Sequence, residues 1–189
     1  MILPVTAYGH PTLKKVAEEI DEDYPNLPEL IDNMFETMYS DEGVGLAAPQ
    51  INKSIRLFII DATPFADQIE GEHELKKVFI NPYITEEDGP EASIEEGCLS
   101  IPNIREQVLR KPKIRIEYFD EKGGFHDEEY DGMFARVIQH EHDHLQGILF
   151  IEKISSLRKT LLKRKLQDIS KGNVKVNYRM IFPARKKRK

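Results

Sequence analysis

Two histidines, His140 and His144, stand four residues apart in the stretch His140-Glu141-His142-Asp143-His144. Residues at that spacing share one face of a helix, so both imidazoles can hold a single ion at roughly 2.0–2.1 Å. Glu141, about 100° around the helix from His140, need not coordinate; it can take a proton from a water beside the ion, the general-base step of a hydrolysis. The competing reading is a structural histidine pair beside an ordinary glutamate. Met133 and Val137 lie on the same stripe as the histidines and turn them toward the interior, where imidazoles require a ligand or a proton partner.

Two histidines leave an ion short of protein ligands. In one class of zinc proteases a glycine and then a third histidine follow the second; here Gly147 is present, but Phe150 occupies the ligand position. After His144 the carboxylates are Glu152, which comes just past the expected helix end, and Asp168, which sits among Lys and Leu residues. His10 and His126 fall in turn or hairpin contexts, His73 in an acidic loop, and His142 points away from its helical neighbours, so each reads as a surface histidine. Cys98 is the single cysteine and cannot form an internal disulfide. Its thiolate would complete a Cys, His, His set with one position open for water, although a lone cysteine is more commonly a packed hydrophobe.

The elements that must position these groups follow from periodicity. Asp131 is a candidate N-cap and Gly147 a candidate stop for a helix of about four turns with Met133, Phe134, Val137, Ile138 and Leu145 as its apolar residues. From Asn26, Leu27, Leu30, Ile31, Met34, Phe35 and Met38 recur at helical spacing until Gly43. A third helix is expected from Ser155 or Ser156 to about 170, burying Leu157, Leu161, Leu162, Leu166 and Ile169. Runs at 55–60, 78–84 and 114–119 read as strands, the last turning through Gly123 and Gly124 into 125–130 as a hairpin. Residues 174–182 suggest a late strand, 62–77 an acidic surface loop, and 185–189 a frayed end. The class is α+β: small mixed or antiparallel sheets packed around a central metal-binding helix, with a C-terminal helix.

Length and composition fit one globular domain of 189 residues, 40% hydrophobic and 32% charged. We expect a catalytic body over 1–152 and a basic helix and tail over 153–189. There is no secretory signal pattern and no apolar run near the roughly 20 residues a membrane span needs, so a cytoplasmic, reducing setting without membrane contact is expected. The net charge of -6 conceals an asymmetry: the first 152 residues hold 32 acidic and 13 basic side chains, the remainder 14 basic and one acidic. Such a tail suits a polyanion such as RNA, or simply a solvated helix.

Three stretches together resemble the peptide deformylase family: GVGLAAPQ at 43–50, EGCLS at 96–100 and QHEHDHLQG at 139–147. The resemblance implies Cys98, His140 and His144 as ligands of one divalent ion, Fe2+ natively with Zn2+, Ni2+ or Co2+ as substitutes. It implies Glu141 as the acid/base residue, and the Gln50 side chain with the Leu99 amide as oxyanion stabilisers. The expected reaction is removal of formate from N-formylmethionyl nascent peptides. Gly43, Gly45 and Gly97 would border an extended peptide, Arg105 would face it, and Val44, Met133 and Val137 would wall a methionine pocket, with Arg136 at its rim. Asp143 is expected to pair with a base such as Arg110, and the basic C-terminal region to contact the ribosome. The 62–77 segment is longer than in compact bacterial members, and 172–189 runs past the usual final helix. A zinc endopeptidase would need a downstream ligand and leave Cys98 idle. An RNA-binding module would make the tail the functional part.

Overall fold

The structure, a computed structural model, describes residues 1–21, 23–69 and 74–184. His73, part of the expected 62–77 loop, and the expected frayed end at 185–189 lie outside the described residues. Chain order is β1 (Val5–Thr6), α1 (Leu27–Ser40), β2 (Gly45–Ala47), β3 (Leu57–Asp61), β4 (Lys76–Asp88), β5 (Ala92–Cys98), β6 (Ile101–Arg110), β7 (Lys113–Phe119), β8 (Phe125–Asp131), α2 (Gly132–Leu145), α3 (Ser156–Ser170) and β9 (Met180–Ile181), joined by short 3-10 turns. The fold is α+β. Strands β2-β3-β4-β7-β8 form an antiparallel five-stranded sheet, β5-β6 a separate hairpin, and β1-β9 a short parallel pair.

Helix α2 lies between the large sheet and the β5-β6 hairpin. Toward the sheet it packs Phe134, Ala135, Val137 and Ile138 against Phe58, Ile60, Phe79, Ile116 and Tyr118. Its chain exit is sharp: Gly147 has φ +69, and a Cβ there would stand 2.8 Å from the Lys14 carbonyl carbon, so both conformation and space demand glycine. Asp131 occupies the N-cap position without making a side-chain cap bond. Helix α1 covers the other sheet face through Leu30, Ile31, Met34, Phe35 and Met38, which meet Leu46, Leu57 and Ile59. Pro28 and Glu29 suit its first turn.

Several expectations change. The acidic 62–77 segment contains a 3-10 turn at Thr63–Gln68, and β4 already begins at Lys76. The late strand shrinks to Met180–Ile181, which pairs with Val5–Thr6. In α3, Leu162, Leu166 and Ile169 are buried, but Leu157 and Leu161 are 69% and 61% exposed. Leu161 lies about 100° and Leu157 about 150° around the helix from the buried stripe, and one stripe is all that a helix resting on one surface needs.

A polar knot ties three strands of the large sheet. Lys77 on β4 and Tyr118 on β7 both donate to Glu128 Oε2 on β8, at 3.2 and 2.6 Å, and Tyr130 donates to the same oxygen. Burial acts to raise the Glu128 pKa, but these partners outweigh it and hold the carboxyl below its ordinary value of 4.5. A depressed carboxyl contributes stability that is present above that ordinary value and lost as pH falls through the lower folded one. The melting-temperature gap between parent and Glu128→Gln should therefore be widest near about pH 7 and shrink by about pH 3. A gap that does not change with pH would show that the charge is not what the knot uses.

Candidate active site

The β5-β6 hairpin carries Cys98 to its turn, where the register shifts between Gly97 and Cys98 and Cys98 pairs with Ile101. Helix α2 presents His140 and His144 to the same point. One donor atom from each of Cys98, His140 and His144 falls within 4.8 Å of the others. Cys98 Sγ stands 3.3 Å from His144 Nε2, and Gln50 Nε2 donates to the same sulfur at 3.4 Å. Gln50 is 1% exposed and accepts from Ala47 N at 2.8 Å through Oε1, which leaves its amide nitrogen aimed at Cys98.

Glu141, buried on α2, packs against the backbone of β2. A Cβ on Gly45 would come within 2.5 Å of Glu141 Oε1, so only glycine leaves room for the carboxylate. Burial pushes the Glu141 carboxyl up to about 7, with His140 and Arg110 pulling the other way. Its Oε2 has no hydrogen-bond partner among the described residues, and neither has His144 Nδ1. Burial, with the neighbouring His140 and Arg110, pushes His144 well below its ordinary pKa and so toward the neutral ligand form.

The site opens into a cleft of about 1140 Å³. Gly43, Val44, Gly45, Gln50, Gly97, Cys98, Leu99, Arg105, Met133, Val137, His140 and Glu141 all border it, while His144 lies behind the wall. Residues 175–178, which the sequence placed in a strand, form another part of its lining.

Behind the cleft lies an ion network that the sequence only half disclosed. Arg110 grips Glu96 with two hydrogen bonds, Nε to Oε1 at 2.7 Å and an Nη to Oε2 at 2.9 Å, and reaches Asp143 at 2.6 Å. The expected Asp143–Arg110 pair is thus present. Glu96 had no role beyond its motif, yet its Oε2 also meets His140 Nδ1 at 2.9 Å, fixing that ring so that its other nitrogen faces the Cys98 cluster. Burial works against ionised Glu96, but Arg110 and His140 hold its carboxyl well below the usual range.

Arg136 borders the cleft as expected, but its guanidinium is buried and donates to Glu96 and to the Val108 and Ala92 carbonyls, because three acceptors on β5 and β6 offset its loss of water. One sequence reading is corrected here. His142 is no surface histidine; burial lowers its pKa to about 4, with Arg56 and Lys153 adding to the effect, since α2 is packed on both sides. A hint was available for Glu96 and Arg136: a charged residue on a helix or strand otherwise destined for the interior must find an opposite charge.

A thiol and two imidazoles converging in one corner match the donor set of divalent-ion sites that keep one position open, and the Glu141 carboxylate oxygen beside them is left without a partner among the described residues. Together with an acid titrating near neutrality on an open cleft, these features define a metal-dependent hydrolase. Residues 2–160 match the polypeptide deformylase family. A peptide deformylase of Christiangramia forsetii is 57% identical over 194 residues, covering 99% of both chains. Among solved structures, the Legionella pneumophila peptide deformylase matches at TM-score 0.79 and 35% identity, covering 92% of this chain and 98% of that one. The Met-Ala-Ser-bound class I type b enzyme of Acinetobacter baumannii matches at 0.73 and 37%, covering 82% and 99%. The chain belongs to the polypeptide deformylase family, metal-dependent enzymes that remove the formyl group from the amino terminus of new polypeptides.

Arg110→Met would leave buried Glu96 with only Arg136 and His140, and Asp143 with only Lys153 at 3.3 Å. It should cost roughly 3–5 kcal/mol, read as a lower urea midpoint at unchanged slope. A loss under about 1 kcal/mol would mean that these remaining partners suffice for both carboxylates.

Proposed function

We infer that this chain hydrolyses the formamide of N-formylmethionyl peptides, releasing formate and a free amine. The observation that carries the reading is the Cys98, His140, His144 cluster with Glu141 opening onto the same cleft. When held by those three residues, a divalent ion supplies Lewis-acid polarisation of water and of the formyl oxygen. Glu141 takes a proton from water as its oxygen adds to the formyl carbon. The negative charge that develops on the former carbonyl oxygen is opposed by Gln50 Nε2 and the Leu99 N–H. Glu141 then returns the proton to the peptide nitrogen as the C–N bond breaks. Buried on α2 and bordering the cleft, the one carboxyl group serves both transfers.

Val44, Met133 and Val137 form the apolar wall that receives the methionine side chain. Strands β2 and β5 each lie at the edge of a sheet, so an extended peptide can add backbone bonds between them, past Gly43, Gly45 and Gly97, with Arg105 at the rim. The reading places the whole chain in one deformylase domain, a body at 1–152 with a basic region at 153–189, working in the cytoplasm. No helix among the described residues is long and apolar enough to cross a membrane.

Glu141→Ala should fold, retain metal and release formate from formyl-Met-Ala-Ser at under about a hundredth of the parent rate. Parent-like release by that variant would assign the proton transfer elsewhere. Ferrous iron is the proposed native ion, with Zn2+, Ni2+ or Co2+ able to replace it. Protein purified without oxygen should then lose activity in air as iron and the Cys98 thiolate oxidise, and zinc-loaded protein should not; equal survival of both would exclude iron. The basic C-terminal region is proposed to touch ribosomal RNA, so ribosome cosedimentation should weaken steeply with added salt, and salt-insensitive binding would argue against this contact.

A further inference from the structure

The turn that holds Cys98 also holds Leu99 and Ser100, and because Cys98 pairs directly with Ile101, the hairpin gives these two turn residues no strand partners of their own. Their carbonyls are taken instead by the two ends of the chain. Tyr8 N donates to the Ser100 carbonyl at 2.8 Å, and the Tyr178 hydroxyl donates to the Leu99 carbonyl at 2.7 Å. The two arms are bound to each other just beyond these contacts: Val5 N donates to Arg179 O and Ala7 N to Ile181 O, both at 2.8 Å. Asn103 on β6 adds a contact to the Lys175 carbonyl at 3.4 Å. The C-terminal arm therefore runs over the hairpin turn, and residues 175–178 form one wall of the cleft.

We propose that Tyr178 is a positioning residue for deformylation, its hydroxyl holding the Leu99 carbonyl so that the Leu99 N–H stays turned into the cleft beside Cys98. The proposal rests on the oxyanion role given to that N–H above. The N–H and the carbonyl of Leu99 flank a single Cα, with only two soft dihedrals between the peptide planes. Fixing the carbonyl from outside restrains the rotation that would swing the N–H away. The side chain of Leu99 is only partly buried, so packing alone holds the turn less firmly than it holds the strands behind it.

The test uses the full-length, metal-loaded protein with Tyr178→Phe and Tyr178→Ala, measuring kcat and KM for formyl-Met-Ala-Ser, metal content and melting temperature. Tyr178→Phe keeps the ring and removes only the hydroxyl. It should lose about five- to tenfold in kcat with KM within about twofold, and keep parental metal content and melting. Tyr178→Ala should lose at least as much. If the residue merely packs, Tyr178→Phe keeps the parental kcat and only the alanine variant falls, which overturns the proposal; so does a kcat loss that matches a loss of metal. A parent that itself releases no formate defeats the deformylase reading and this proposal with it, an outcome visible before any variant is compared.

Discussion

The whole site depends on a buried carboxylate that cannot be neutral and cannot be alone. Glu96 sits in the β5-β6 hairpin with almost no water, where an unpaired charge would be untenable, and it is met by Arg110 of its own hairpin and by Arg136 and His140 of α2. That electrostatic requirement joins two elements that share little apolar surface. It fixes how far apart they lie and how α2 is rotated, and both quantities decide where His140 falls relative to Cys98. The ion network does not touch the reacting atoms, yet it sets the geometry in which they meet.

Helix α2 shows the cost and the use of this arrangement. A helix buried on both flanks is ordinarily apolar all round. This one keeps apolar residues toward the large sheet and places Arg136, Gln139, Glu141, Asp143 and His144 in the interior as well. Most of these polar groups are matched by strand carbonyls or opposite charges from the hairpin side. Gln139, Glu141, His142 and His144 each keep an atom without such a match among the described residues, and of these four only Glu141 borders the cleft.

Much of this was legible in the sequence. The 3.6-residue period exposed α1 and α2, the alternation in β7 and β8 with two glycines between gave their hairpin, and a His-x3-His spacing with one remaining thiol pointed to the three side chains that the fold brings together. The strands β5 and β6 escaped because their inward positions hold Glu96, Glu106 and Arg110 in place of aliphatic residues, so the period-two signal was masked by charge. The burial of the Arg136 charge was hidden for the same reason: sequence shows a charge but not the acceptor that lets it be buried. Leu157 and Leu161 failed in the opposite sense, because leucine at helical spacing does not say how wide a supporting surface is. The path of 175–178 was illegible altogether, since what guides it is a hydroxyl and a side-chain amide meeting carbonyls 79 and 72 residues away.

The pairing of Val5–Thr6 with Met180–Ile181 joins segments from opposite ends of the chain. A contact of that sequence separation cannot form while the polypeptide is still being extended, whereas the hairpins and α2 can assemble from neighbouring stretches. During synthesis, then, the Cys98, His140 and His144 cluster has its materials before the cleft has its last wall. An interrupted or clipped chain lacking only its final residues would retain that cluster and Glu141, but would present a wider and less ordered mouth to the peptides it meets.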